Sequence, residues 1–181
     1  MRVAGAGEAV AAVKPSLDSL APPEGWGHMG GAGAGHFVKM VHNGIEYGLM
    51  AAYAEGLNIL KHADAGQQQR EVSAEVTPLR DRGLYQYQLD IPAVTEVWRR
   101  GSVIASWLLD LAAAAFLHSG DLSDCEGRVS DSGEGRWPSI AAIDFSAPAP
   151  VRTPRLYRTL SCRGDTDSRT RVPLTRPRGF G

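Results

Sequence analysis

Cysteine is nearly missing from this chain: Cys125 and Cys162 are the only two in 181 residues. Their separation fits no metal-ligand spacing, and two cysteines build no disulfide framework, so neither a metal site nor a stapled secreted scaffold is expected. Such sparse use of cysteine suits a reducing, cytoplasmic setting. Long apolar runs are missing too. The longest, Ser102 to Leu117, is interrupted by Asp110 and falls short of the ~20 residues a membrane span needs, so no membrane partner is expected. The opening Met1-Arg2-Val3-Ala4-Gly5 lacks the apolar stretch of a signal peptide. Charge of one sign is also lacking, with a formal net charge of −1, so nothing steers the whole chain to nucleic acid. Strand signals are few.

What remains is ordinary globular material. Hydrophobic residues make up 43% of the chain, and the length suffices for one domain with a real core. Charge is unevenly spread, however. Residues 151–181 hold eight Arg and two Asp, a net of +6, against −7 for the rest. That tail also carries Pro154, Pro173 and Pro177, few large apolar residues and no helical period. It cannot bury enough surface to offset the entropy of ordering, and from Arg152 onward we expect disorder or irregular structure. An abrupt change to Arg, Pro, Ser and Thr is also what a shifted reading frame in GC-rich DNA leaves behind, an expectation that sequencing reads through this region check.

Periodicity gives a mostly helical reading. Met1 to Gly7 reads as the end of a strand followed by a turn. Its glycines lack the third Gly and the later acidic residue of a dinucleotide fingerprint. Val10, Val13, Leu17 and Leu20 mark a helix over 8–20, closed by Pro22 and Pro23. Residues 26–29 form a short extended piece. The glycines from Gly30 to Gly35 lack the Gly-Lys-Ser/Thr ending of a phosphate loop and more plausibly admit close backbone approach. A long helix then runs from about Gly35 to Ala63. Further helices are expected over 67–76, 91–98, 102–118 and 139–143, with 79–89 irregular and 120–129 a loop. The fold class is therefore all-α apart from a vestigial strand.

The chemistry-bearing residues sit on the long helix. Lys39, His42, Asn43 and Glu46 stand at i, i+3, i+4 and i+7 and share one face. Around them lie Phe37, Val38, Met40, Val41, Gly44, Ile45 and Leu49. A helix apolar nearly all round is expected to be buried, and a buried helix keeps an unpaired Lys and Glu only at a cost. One stripe with a base, an acid and two hydrogen-bonding groups reads as a reaction site. The bland alternatives are a structural ion pair between Lys39 and Glu46, or a solvated edge of a surface helix; two turns of separation exceed the usual i, i+4 spacing of a pair, and a solvated face would carry more Lys, Glu and Gln.

The string from His36 to Gly48, with Gly33-x-Gly35-x-x-x-Lys39-x-x-x-Asn43 inside it, resembles the 6-phosphogluconate dehydrogenases, in the shorter bacterial form, within the β-hydroxyacid dehydrogenase superfamily. The resemblance continues through Ala52 to Leu60, Leu89 to Leu111 and Val129 to Asp144, and covers roughly Gly5 to Pro150. It implies a helical catalytic and substrate domain over 29–150, and the end of a cofactor-binding domain over 1–28, whose preceding Rossmann part is absent from this sequence. It implies the pentose-phosphate reaction, in which 6-phosphogluconate is oxidised by NAD or NADP and decarboxylated to ribulose 5-phosphate. On that pattern Lys39 matches the general base and Glu46 the general acid. His42 and Asn43 match contacts to the sugar-acid hydroxyls, and Tyr47 a contact to phosphate. Arg136 falls where longer members carry Lys in Gly-x-Gly-Lys-Trp, and Arg binds phosphate bidentately. A Lys beside apolar surface loses pKa, and a Glu there gains it, which suits base and acid. Cofactor-binding residues cannot be named, and a homodimer or homotetramer is implied.

The sequence also departs from that pattern. Pro138 replaces the usual Thr or Ser, and Arg158 with Thr159 displaces a phosphate-binding Arg. Three other readings stay open: an oxidoreductase for another small β-hydroxyacid, a non-catalytic helical assembly or sugar-phosphate-binding module, and nucleic-acid binding by the arginine tail. The last rests on charge alone.

Overall fold

A computed structural model of the chain describes residues 1–69, 78–120, 122 and 136–151. In chain order these form β1 (Arg2–Val3), α1 (Gly7–Leu20), β2 (Gly27–His28), α2 (Ala34–Lys61), a 3-10 turn (Arg82–Leu84), α3 (Ile91–Gly101), α4 (Trp107–His118) and α5 (Trp137–Asp144). The described residues are thus mostly helical, as expected. Two compact units divide the chain: Met1–Gly48 with Arg128–Gly181, and Leu49–Gly127. Residues of α2 up to Gly48 belong to the first and those from Leu49 to the second.

In the first unit, β1 and β2 pair in parallel, with Arg2 opposite Gly27 and Val3 opposite His28. Where the sequence suggests one vestigial strand, the structure has a short strand–helix–strand unit. Its ladder extends past both strands through Met29 N–H to the Val3 carbonyl at 2.7 Å and Gly5 N–H to the Gly30 carbonyl at 3.0 Å. The connecting α1 is rich in alanine, a strong helix former, and carries Glu8 in its first turn, favourable to the helix dipole. It tolerates Pro15 in its interior. Asp18 accepts from Lys14 Nζ at 2.6 Å and Trp26 Nε1 at 2.9 Å, and these bonds hold its carboxyl below the usual range. Gly30 and Gly33 take φ of +126° and +90°, backbone that favours glycine. Gly35 then lies against β1, where an added Cβ would sit 2.9 Å from the Arg2 carbonyl oxygen. The expected close approach is made, and its partner is this strand.

In the second unit, α3 is capped by Asp90, whose side chain accepts the Ala93 N–H at 3.0 Å, with Pro92 in the first turn. Thr95 is fully buried and donates to the Pro92 carbonyl. The helix expected from Ser102 instead starts at Trp107. The reason is local: the Ser106 hydroxyl accepts the Leu109 N–H at 3.1 Å, an N-cap that sets the boundary, while Ser102 to Ser106 forms a turn. Tyr53 Oη meets the Ile104 carbonyl and Ser106 Oγ, both at 2.8 Å, so the α2 segment of this unit is bonded to that cap. Arg99 joins α3 to α4 by donating to Asp110 at 2.8 Å. Leu57, Ala65, Ile91, Leu109 and Ala113 are buried here. Residues 79–89 are irregular except for the 3-10 turn, and Gly66 is enclosed by the Arg82 and Tyr85 carbonyls.

Some expectations fall outside the described residues. The helix over 67–76 is one: 67–69 show no helix, and 70–77 are not described. Most of the loop over 120–129, residues 133–135, both cysteines and the tail from 152 are likewise outside.

Candidate functional site

The site candidates all belong to the first unit. With 3.6 residues per turn, α2 presents Lys39, His42, Asn43 and Glu46 on one side. On the other side it presents Phe37 and Val41, which border an apolar hollow of about 400 Å³ with Pro138, Ala141 and Phe145. Phe37 and Phe145 rings lie 6.0 Å apart, tilted by 54°, an ordinary edge-on aromatic distance. The division of labour around α2 follows from sequence: small and aromatic residues meet α5, and polar residues turn away from it.

Within the polar stripe, His42 is the hub. Its Nδ1 lies 3.1 Å from Asn43 Oδ1 and 3.7 Å from Glu46 Oε2. Because Oδ1 only accepts, the Asn43 bond makes His42 Nδ1 the donor. His42 Nε2 and the Asn43 amide N–H groups are then the groups that can meet a ligand. Asn43 is 5% exposed, whereas the His42 and Glu46 side chains are 48% and 38% exposed. Tyr47, one turn beyond Asn43, is half-buried.

Lys39 departs from expectation. It is exposed, and so are Phe37, Val38, Ile45 and Leu49. The expected buried helix is therefore corrected: α2 is apolar enough to be covered, but the described residues leave much of it bare. An all-round apolar pattern states what a helix can bury, not that its own chain supplies the cover. Among the described residues, no ion pair joins Lys39 to Glu46, so the structural pairing is not formed, whereas the exposure of Lys39, His42 and Glu46 is that of a solvated helix edge.

Arg136 stands directly before Trp137 at the start of α5, with helical backbone and an exposed side chain. Its helix meets α2 through Phe37 and Val41, on the side away from the polar stripe. The four stripe residues are thus brought together, with Tyr47 beside them, and Arg136 is placed by a different helix. The feature sequence reasoning missed is His28, whose Nε2 lies 2.9 Å from both the Gly5 and Gly30 carbonyls. Its only signal was a polar ring in an extended piece ahead of the glycines.

For a dinucleotide cofactor, the β1–α1–β2 unit has parallel strands but lacks the Gly-x-Gly-x-x-Gly turn that brings a helix N-terminus to a pyrophosphate. The described residues do not fit that grip. Among them, no cluster of His, Cys, Asp and Glu suits a metal ion, and no helix is long and apolar enough to cross a membrane.

Comparison with known proteins agrees on the α2 region. Residues 35–77 match the family model described as 6-phosphogluconate dehydrogenase, C-terminal domain. The chain is 36% identical over 169 residues to an NAD(+)-dependent, decarboxylating 6-phosphogluconate dehydrogenase of Haloferax volcanii, a match covering 92% of this chain and 49% of that protein. It is also 36% identical over 162 residues to YqeC of Bacillus subtilis, covering 88% and 47%. With a decarboxylating 6-phosphogluconate dehydrogenase of Lactococcus lactis, identity is 31% over 159 residues, covering 82% and 29%. The chain spans about half the length of the first two relatives, and less of the third.

Proposed function

This chain belongs to the 6-phosphogluconate dehydrogenase family, and from that premise we propose that the Lys39–Glu46 face of α2 binds 6-phosphogluconate and handles its protons during oxidative decarboxylation to ribulose 5-phosphate, with NAD or NADP as oxidant. The observation that carries this is the polar stripe: a lysine amine, an imidazole, a buried amide and a glutamate carboxyl group on one helix face.

Each residue has a task that its chemistry allows. Lys39 takes the proton of the C3 hydroxyl. Asn43, fixed by its bond to His42, donates to a sugar-acid oxygen, and His42 Nε2 meets a neighbouring hydroxyl. As CO2 leaves the resulting β-keto acid, Lys39 returns its proton to the C3 oxygen to give an enediol; Glu46 then gives its proton to the carbon that lost the carboxylate while Lys39 takes the enediol hydroxyl proton back. Tyr47, beside the stripe, binds the phosphate; Arg136, expected from the sequence to share that contact, is given none here because its helix meets α2 on the opposite side. A nicotinamide cofactor would supply the oxidising power for the C3 alcohol. We assign its grip to residues beyond those described, with 1–28 as the end of the cofactor-binding domain.

Titration of the purified chain with 6-phosphogluconate tests this. We expect binding, no reduction of NAD or NADP by the chain alone, and binding about 10- to 100-fold weaker in Lys39→Met, the loss that a charge-assisted hydrogen bond brings. Because Lys39 is exposed, the melting temperature should hold. Preference for a different small β-hydroxyacid would move the chain to the wider superfamily. A clear rate of NAD(P)H formation, abolished by Lys39→Met, would overturn the inactivity of the chain alone.

A second reading has its own support. Trp107, Leu111 and Leu117 on α4 and Ile140 and Ile143 on α5 are exposed, more apolar helix surface than a solvated monomer usually shows. This favours a homodimer or homotetramer joined through helices. Sedimentation showing a monomer at micromolar concentration would remove it.

A further inference from the structure

At the carboxyl ends of β1 and β2, one side chain bridges two segments that the sequence leaves loosely joined. His28 Nε2 lies 2.9 Å from the Gly5 carbonyl, just past β1, and 2.9 Å from the Gly30 carbonyl, which opens the glycine run into α2. Carbonyls only accept, so this nitrogen carries hydrogen. The Gly30 carbonyl also accepts the Gly5 N–H at 3.0 Å. After it come Gly31, Ala32, Gly33 and Ala34, bonded only locally, through Ala34 N–H to the Gly31 carbonyl and Phe37 N–H to the Gly33 carbonyl. Gly35 then rests against the Arg2 carbonyl. A run of glycines has the largest conformational freedom to lose, so the register between the strands and the first turn of α2 depends on few anchors.

We propose that His28 is a positioning residue: its bridge sets where the first turn of α2, and one turn later Lys39, stands relative to the carboxyl ends of the two strands. Those ends are where ligands of parallel sheets bind. This rests on the reading of the Lys39 face as the substrate face, but its own geometry is separately measurable. His28 touches no substrate in this scheme. It acts by holding the Gly30 carbonyl, and any donor placed where Nε2 lies should serve.

The experiment uses the whole chain with His28→Ala and His28→Gln. Proton–nitrogen correlation spectra of the imidazole should show Nε2 protonated, and an Nδ1–H tautomer overturns the bridge. In His28→Ala, hydrogen exchange at the Gly5 and Phe37 amides should speed by about tenfold or more, the scale of one lost hydrogen bond, and 6-phosphogluconate should bind about tenfold more weakly with little change in melting temperature. His28→Gln, which keeps a donor, should restore both. Unchanged exchange in His28→Ala overturns the proposal, as does weakened binding that Gln fails to rescue. If the unmodified chain binds no 6-phosphogluconate, the substrate reading fails by itself, and the exchange rates still decide for or against the bridge.

Discussion

The two units hold together by different means. Among the described residues, five of the buried hydrophobic residues, Leu109 and Ala113 among them, lie in the second unit, and one, Val10, in the first. The first unit relies on backbone: a parallel ladder, glycines in close approach and an imidazole between two carbonyls. Side-chain burial stabilises in proportion to area and tolerates adjustment. Hydrogen-bonded backbone offers less free energy but fixes positions more narrowly. The unit that carries the polar stripe is built for placement, and the other is built for cohesion.

That contrast can be broken most forcefully at Leu109. It is fully buried, and Leu109→Ala should cost about 2–5 kcal/mol, seen as an earlier denaturant midpoint. An effect below about 1 kcal/mol would mean the second unit has no real core. In the first unit the matching test is Gly35→Ala. The added methyl meets the Arg2 carbonyl, and overpacking of about 1–3 kcal/mol should follow, together with a lost β1–β2 ladder in hydrogen exchange. A ladder that survives would show that the strand yields easily. Smaller again is Ser106→Ala, which removes the α4 cap and a partner of Tyr53. About 1 kcal/mol is expected from thermal unfolding, with binding at the Lys39 face unchanged.

The smallest effect belongs to Asp18. Its carboxyl pKa is lowered by hydrogen bonds from Lys14 and Trp26. A lowered folded-state pKa adds stability above the unfolded value of about 3.8 and loses it as pH falls through the folded value. The carboxyl is exposed, so solvent screens the gain. Asp18→Asn should lower stability slightly at neutral pH, flatten the acid limb by the same small amount and leave the most acidic end unchanged. A large loss at pH 7 would contradict this account.

Much of this was legible in the sequence where a period or a cap carried it. The limits of α1 and α2 followed from apolar spacing and from Pro22 and Pro23. The shared face of Lys39, His42, Asn43 and Glu46 followed from helix geometry. The start of α4 was missed because Val103 and Ile104 continue an apolar run, whereas a single hydroxyl at Ser106 decides the boundary. The pairing of β1 with β2 was missed because two-residue strands have no period to read. Burial of α2 was misjudged because composition records what a surface prefers and not what covers it. His28 escaped because its partners are carbonyls, which every residue has.

The opposed faces of α2 also make it sensitive to phase. Each added residue turns a helix by about 100°. A single insertion between Gly35 and Phe37 would leave every residue of the stripe present, and the helix as stable in isolation. It would nevertheless swing Lys39 and Glu46 round by more than a quarter turn and carry Phe37 and Val41 away from α5. Substitutions on one face can therefore accumulate without disturbing the other, but changes of length in this helix act on both at once.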